Sequence, residues 1–146
     1  MTLQIVKAGL SDISPVMKLE KISFAEDAWP LIDMALVLIN PGGIRYKALV
    51  NGNFAGFAAA EIDSVKHSGW ISTIAVMPEY RHQGVGRMLL DACQKDIHEP
   101  VICLCVDVQN LTALKLYKKM NYVETDLWKD YYAEGRDAIV MQMDNK

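Results

Sequence analysis

The stretch Arg81-His82-Gln83-Gly84-Val85-Gly86-Arg87 decides the fold of this chain. An apolar, strand-like run at residues 70–76 precedes it, and a run with helical spacing at residues 88–93 follows it. A strand that passes through a glycine-containing loop into a helix presents free backbone N–H groups at the helix N-terminus, where the helix dipole is positive. The two arginines add charge, and the glycines let a phosphate group approach the backbone. The stretch therefore predicts an anion site, although its Arg-x-x-Gly-x-Gly spacing is neither a Walker loop nor a GxGxxG fingerprint.

The composition is that of an ordinary globular domain. With 146 residues the chain is long enough for one domain with its own core, and we expect residues 1–146 to form it. Its hydrophobic content is 51% and its charged content 23%. The net charge of -3 argues against a nucleic-acid partner. No apolar run approaches the roughly 20 residues of a membrane span, so we expect no membrane partner.

The cysteines and the first residues bear on location. Residues 1–7 lack a charged leader followed by an apolar stretch, so we expect no signal peptide. The three cysteines, Cys93, Cys103 and Cys105, are an odd, small number that fits reduced thiols better than a disulfide framework. We therefore expect a cytoplasmic protein. The eight methionines and the hydrophobic content allow a homodimer contact without placing one.

Alternation, helical spacing and turn residues predict the element order β-α-α-β-β-β-α-β-α-β-β. The predicted strands cover residues 3–7, 44–50, 54–62, 70–76, 101–108, 122–132 and 137–143. The predicted helices run from a cap at 11 or 12 to about 24, from Pro30 to just before Asn40, over about 84–95, and over 110–120. Strands grouped with helices between them predict an α/β or α+β fold with a sheet covered on both faces.

This order and two motif blocks resemble the GNAT superfamily of acetyl-CoA-dependent N-acyltransferases over nearly the whole chain. The blocks are Ile74-Ala75-Val76-x-Pro78-Glu79-Tyr80-Arg81-x-Gln83-Gly84-x-Gly86 and Asn110-x-x-Ala113-x-x-x-Tyr117. Within the superfamily the chain is most similar to the N-terminal protein acetyltransferases, particularly the bacterial ribosomal-protein alanine acetyltransferase (RimI-like) group. That closer likeness lies in Phe24-x-x-x-x-Trp29-Pro30, in Leu116-Tyr117-x-x-Met120-x-Tyr122, and in Tyr131-Tyr132 ahead of Gly135-Arg136-Asp137-Ala138-x-x-Met141. The resemblance implies the GNAT fold, a mixed, mostly antiparallel, twisted sheet of about seven strands flanked by about four helices.

The resemblance also implies a reaction, the attack of an amine on the thioester of acetyl-CoA, with no metal. By resemblance, the backbone of Ile74, Ala75 and Val76 would bind the pantetheine arm, with the amide of Val76 near the thioester oxygen. By resemblance, the pyrophosphate would be bound by the loop made of Arg81, His82, Gln83, Gly84, Val85, Gly86 and Arg87. The side chain of Asn110 would contact the CoA arm, and Asn110 is also a plausible helix cap. The alternative for the loop is a solvated basic turn.

The catalytic acid and base follow less directly. By resemblance Tyr117 donates a proton to the CoA thiolate, and its phenol, with a reference pKa of about 10, is protonated at neutral pH. The alternative is a core aromatic residue. In the RimI-like group a glutamate on the fifth strand is the general base, but aligning on Asn110 and Tyr117 puts Cys105 there. A thiol with a reference pKa of about 8.5 is a poor substitute, and buried strand cysteines usually pack as small hydrophobes.

Other residues are candidates for the base. Glu61 lies near the end of a largely apolar strand, where its alternative is a solvated carboxylate. Asp107 shares the side-chain parity of Cys103 and Cys105. His67 is better explained as a turn residue. A strong base is not essential, because roughly a tenth of an α-amine is neutral at pH 7, against less than about a thousandth of a lysine amine. Water-relayed deprotonation would then suffice for a protein N-terminus.

The acceptor side follows from the resemblance alone. It implies that Trp29, Pro30 and Leu31, together with Tyr131 and Tyr132, wall the acceptor groove; core packing of Trp29 and an edge hairpin are the alternatives. Arg136 either pairs with an acidic acceptor or is solvated. We expect an N-acetyltransferase acting on a peptide or protein N-terminus. The alternatives are a small amine, such as a polyamine, amino acid or aminoglycoside, and a non-catalytic CoA-binding module.

Overall fold

The computed structural model describes residues 2–145, and within them seven strands and four α-helices follow the predicted order. The strands are β1 (Leu3–Lys7), β2 (Ile44–Val50), β3 (Asn53–Asp63), β4 (Ser68–Val76), β5 (Val101–Asp107), β6 (Val123–Trp128) and β7 (Ala138–Asp144). The helices are α1 (Ile13–Phe24), α2 (Leu31–Ile39), α3 (Val85–Asp96) and α4 (Leu111–Lys119). Within this part of the chain, no helix combines the length and apolar character needed to cross a membrane.

The strands form one sheet in the order β1-β2-β3-β4-β5-β7-β6. Antiparallel pairing joins β1 to β2, β2 to β3, β5 to β7, and β6 to β7. The pairing of β4 with β5 is parallel, from Ser68 opposite Val101 to Trp70 opposite Cys103. The predicted mixed, mostly antiparallel sheet is therefore confirmed.

Residue contacts divide the chain into two compact units, Met1–Glu61 with Ser72–Asp96, and Ile62–Ile71 with Ile97–Lys146. That the 146 residues form one domain stays a prediction. In the first unit, α1 and α2 bury residues that recur at helical spacing, which is how an amphipathic helix attaches to a core. The buried residues of that core are Ala8, Val16, Leu19, Met34, Leu38, Phe57, Ala59 and Ala75.

A glycine on β3 determines how closely α3 packs in the first unit. A Cβ built on Gly56 would lie 2.9 Å from the carbonyl oxygen of Ala75 and 3.0 Å from Cδ1 of Leu89. Because real Cβ atoms essentially never come that close to backbone, the position requires glycine. The N–H of Met77 also donates to the carbonyl of Ala55 at 2.7 Å. These contacts fix the end of β4 and the helix that follows it.

In the second unit, β5 lies between β4 and β7, and its residues Ile102, Leu104 and Val106 are buried. The helix α4 buries Leu114 and Tyr117. Successive side chains on a strand point to opposite faces. The intervening β5 residues 103, 105 and 107 therefore share the other face, as their parity predicts.

The strand predicted over residues 122–132 is shorter than expected, because β6 ends at Trp128. Asp126 binds the local chain, accepting hydrogen bonds from the N–H of Leu127 at 2.8 Å and from Nε1 of Trp128 at 3.1 Å. Asp130 then takes a positive φ of 52°, outside the extended region. Leu127 and Trp128 still pair with β7, so the turn at Asp130 is what ends the strand. Tyr131 and Tyr132 consequently lie in a loop rather than in an edge strand.

Candidate active site

The loop between β4 and α3 has the geometry of the predicted anion site. Gly84 has a φ of +84° with open space where a Cβ would be, and His82 has a φ of 61°. All four residues from 81 to 84 are exposed. Arg81 donates from Nε to the carbonyl of Val76 at 2.9 Å, so its guanidinium lies against the end of β4. Gln83 donates from Nε2 to the carbonyl of Glu79 at 3.3 Å. The loop is therefore shaped by its own side chains.

The helix α3 begins directly after this loop, and the carbonyl of Gly84 accepts from the N–H of Met88 at 3.1 Å. The first N–H groups of a helix have no acceptor within the helix, so they face outward with the positive end of its dipole. Within residues 2–145, the first turn of α3 contains no acidic side chain that would repel an anion. Val85 is buried, so it offers only backbone here, whereas Arg87 is exposed. These features suit a pyrophosphate. The roles in binding acetyl-CoA that the resemblance implies for Ile74, Ala75, Val76 and Gly86 stay predictions.

Asn110 caps α4, because its Oδ1 accepts a hydrogen bond from the N–H of Ala113 at 3.1 Å. The capping role predicted from the sequence is confirmed, whereas its contact with the CoA arm stays a prediction. The cap fixes the start of the helix that carries Tyr117 two turns later.

Tyr117 lies on the inner side of α4 and is 5% exposed. Its ring meets that of Tyr122 edge-on, with 5.9 Å between centroids. Burial raises the pKa of the Tyr117 phenol, because the phenolate would lose its hydration. The hydroxyl therefore keeps its proton throughout the neutral range and is available as a donor. Its catalytic role stays a prediction.

Cys105 occupies the strand position where the resemblance expects a glutamate. Burial, with a smaller effect of the neighbouring Cys103, raises the pKa of the Cys105 thiol to about 11. At neutral pH the group is a thiol, which is a poor proton acceptor. Among residues 2–145 there is also no group of three His, Cys, Asp or Glu side chains arranged to hold a metal ion.

Asp107, a candidate base, is held by two partners. One carboxylate oxygen accepts from the guanidinium of Arg136, and the other accepts from the N–H of Gln109 at 2.9 Å. The two ion-paired side chains are 16% and 30% exposed. Arg136 is thus held by Asp107 rather than simply solvated, and its pairing with an acidic acceptor stays a prediction. The pair joins the end of β5 to the loop before β7.

The other base candidates are more open to solvent. Glu61, near the end of β3, is exposed. His67 has a positive φ of 53°, is 73% exposed in its side chain, and lies 3.9 Å from Glu99. His67 is therefore a turn residue, as the sequence predicts.

An aromatic cluster that the sequence did not predict surrounds the two predicted acceptor tyrosines. Trp70 stacks on Trp128 at 6.2 Å between centroids, Trp128 meets Tyr131 at 5.4 Å, and Tyr131 meets Tyr132 at 5.0 Å. Tyr131 is 54% exposed and Trp128 36% exposed, so the cluster keeps an accessible edge. Trp70 pairs with Cys103 at the end of the β4–β5 pairing, which places it on the same sheet face as Cys105. The signal in the sequence that could have indicated this cluster is the position of its tryptophans, with Trp70 near the start of β4 and Trp128 at the end of β6.

The predicted acceptor segment at residues 29–31 has a partner that sequence analysis missed. Trp29 donates from its backbone N–H to Oε1 of Glu20 at 3.4 Å, and its side chain packs against the α1–α2 core. Pro30 is the N-cap residue of α2 and has an extended backbone, so the helix begins where the sequence predicts. Leu31, the first residue of the helix, is 59% exposed. Within this short segment, Trp29 therefore packs on the core while Leu31 is exposed.

The fold and the two blocks of site residues define an acetyltransferase of the GNAT class. The family model described as "Acetyltransferase (GNAT) family" matches residues 13–122, and the chain belongs to that family. The predicted resemblance and the GNAT fold are confirmed.

Particular members of the family are similar over most of their length. The chain is 33% identical over 152 residues to an N-alpha-acetyltransferase of Sulfolobus acidocaldarius, covering 94% of this chain and 90% of the relative. It is 30% identical over 106 residues to the [ribosomal protein bS18]-alanine N-acetyltransferase of Escherichia coli, covering 68% and 70%. A chain of the NatC complex, solved bound to Gag peptide and CoA, has the same fold with a TM-score of 0.91 at 19% identity, covering 100% of both chains.

Proposed function

We propose that this protein transfers the acetyl group of acetyl-CoA to the α-amine of a peptide or protein N-terminus. The observation that carries this proposal is the similarity, over nine tenths of both chains, to a relative named for Nα-acetylation. The E. coli relative is named for the same chemistry on the alanine of a ribosomal protein. The shared reaction is attack of a neutral amine on a thioester, which needs positioning, charge stabilisation and a proton donor.

The donor half of the site is proposed for the first unit. The exposed Gly84, the first turn of α3 and Arg87 fit the pyrophosphate of acetyl-CoA, since each offers backbone N–H groups or positive charge without an acidic neighbour in that turn. The backbone of residues 74–76 would hold the pantetheine arm. The donor supplies an activated acetyl group with a thiolate leaving group.

The second unit carries the proposed proton donor, Tyr117. Burial keeps this phenol protonated at neutral pH, which is the state that a proton donor needs, although it also makes Tyr117 a weaker acid than a free phenol. The raised pKa of Cys105 argues against this thiol as the base, because a protonated thiol is a poor proton acceptor at neutral pH. Glu61 and Asp107 stay as candidate bases. The ordinary pKa of an α-amine makes water-relayed deprotonation sufficient as well.

Tyr131 and Tyr132 are proposed to contact the acceptor, and the same role is proposed, from the resemblance, for residues 29–31. Aromatic rings with a polar tip both pack against a peptide and hydrogen-bond to its backbone. The exposed edges of Tyr131 and Trp128 support contact with an acceptor, since a purely structural cluster would gain from covering them.

The test is CoA release from acetyl-CoA, followed with a thiol reagent over a panel of acceptors. The panel contains short peptides with free Ala, Ser or Met N-termini, Nα-blocked peptides with an internal lysine, and polyamines. Turnover restricted to the free N-termini supports the proposal. Turnover restricted to polyamines moves the protein to small-amine acetylation, and binding of acetyl-CoA without turnover on any acceptor favours a non-catalytic CoA-binding module.

The base is tested separately by the pH dependence of turnover. Asp107→Asn and Glu61→Gln are compared with the wild type, and the variant that loses the acidic limb of its pH profile identifies the base. If neither profile changes shape, the α-amine is deprotonated through water.

A further inference from the structure

A carboxylate that the proposed chemistry does not use is buried in α1. Glu20 is 1% exposed, and it lies among the residues by which α1 packs on the core. Burying a carboxylate is costly, and an apolar side chain would fill the same space without that cost. The residue type therefore calls for an explanation beyond packing.

Both oxygens of Glu20 accept hydrogen bonds, and the two donors belong to separate parts of the proposed site. Oε2 accepts from the hydroxyl of Thr73 at 2.9 Å, and Oε1 accepts from the backbone N–H of Trp29 at 3.4 Å. Thr73 is itself buried on β4, directly before the three residues proposed to hold the pantetheine arm. Trp29 begins the segment proposed to contact the acceptor. One carboxylate thus joins the donor strand to the acceptor segment.

We infer that Glu20 is a positioning residue. Through Thr73 it holds residues 29–31 in a fixed position relative to β4, and so sets where the acceptor amine is presented. This inference rests on the proposed function. Glu20 does not act as the base, because both of its oxygens are engaged and it is 1% exposed. Burial raises the pKa of Glu20, which is compatible with a role that depends on hydrogen-bond geometry rather than on charge.

Thr73→Val tests the inference, because it keeps the shape of the side chain and removes the hydroxyl. Thr73→Ser is the matched control that retains the hydroxyl. We expect Thr73→Val to lower kcat/KM for the acceptor peptide about tenfold or more, since small misplacements of a reactant have effects of this size. KM for acetyl-CoA stays within about twofold, and Thr73→Ser resembles the wild type. Equal losses for both substrates, or no loss for the acceptor, would overturn the inference.

Glu20→Gln supplies the conservative rescue. Its amide oxygen still accepts from Trp29, and its NH₂ group can donate to the Thr73 hydroxyl. We expect kcat/KM for the acceptor within about threefold of the wild type, whereas an inactive but folded Glu20→Gln would assign the carboxylate a chemical role and refute positioning.

Hydrogen exchange separates a failure of this inference from a failure of the proposed function. Amide exchange over residues 28–31 is compared in the wild type, Thr73→Val and Thr73→Ser, without any substrate. Faster exchange in Thr73→Val alone supports the connection even if the acceptor class is wrong. Unchanged exchange refutes it whatever the activity.

Discussion

Replacing Tyr117 by phenylalanine removes one hydroxyl from a ring that is 5% exposed and keeps the edge-on contact with Tyr122. The loss of one hydroxyl changes the free energy of unfolding by about 0.5–1.5 kcal/mol, so the variant is expected to fold. A positioned proton donor contributes roughly a hundredfold to ten thousandfold in rate. We therefore expect kcat to fall at least about a hundredfold, a barrier increase of about 2.7 kcal/mol.

The assay is release of CoA at saturating acetyl-CoA and peptide. KM for acetyl-CoA should stay within about threefold, because the proposed donor contacts lie in the loop before α3 and at the end of β4. The free cysteines Cys93, Cys103 and Cys105 require an enzyme-only blank when a thiol reagent is used. Tyr122→Phe is the matched control, since it removes a hydroxyl from the neighbouring buried ring and leaves the Tyr117 hydroxyl in place. A Tyr117→Phe enzyme within about twofold of the wild type would refute the assigned role.

Three other substitutions test the donor loop, the strand cysteine and the buried glutamate. Gly84→Ala forces an alanine to a φ of +84°, which costs about 1–2 kcal/mol of folding free energy, and it narrows the anion site. Calorimetry should show that small loss of stability while KM for acetyl-CoA rises about tenfold. An unchanged KM would argue against this loop as the pyrophosphate site. Cys105→Ser should leave kcat within about twofold from pH 6 to 8, because a thiol with a pKa of about 11 takes up no proton there; a steep loss would restore Cys105 as a candidate base. Burial raises the pKa of Glu20 in the folded state, so the folded protein binds the extra proton and its free energy of unfolding falls as the pH rises from the ordinary glutamate value through the raised one. Glu20→Gln has no such loss, so denaturant titrations should find its stability relative to the wild type increasing over that range, and a constant difference would count against the raised pKa.

The order of elements and the loop between β4 and α3 could be predicted because their signals are local. Glycine and proline mark the turns, the Arg81–Arg87 stretch follows an apolar run directly, and Asn110 caps its own helix through Ala113. Each of these features depends on residues within a few positions of one another. Local patterns therefore place them correctly within about two residues.

The remaining site contacts join residues that are far apart in sequence. Glu20 and Thr73 are 53 positions apart, and Asp107 and Arg136 are 29 apart. Nothing in the neighbourhood of either member indicates its partner, since the pairing depends on which strands and helices the fold brings together. The end of β6 was missed for a different reason, because the positive φ of Asp130 interrupts a strand pattern that otherwise continues to residue 132.

The central claim, transfer to an α-amine, is tested most directly on a single peptide that has both a free N-terminus and an internal lysine. The peptide is incubated with the protein and acetyl-CoA, and tandem mass spectrometry identifies the nitrogen that carries the acetyl group. The account predicts one acetyl group on the α-amine, with the lysine unmodified at the same time point and no product without protein. Acetylation of the lysine in preference to the α-amine would contradict it.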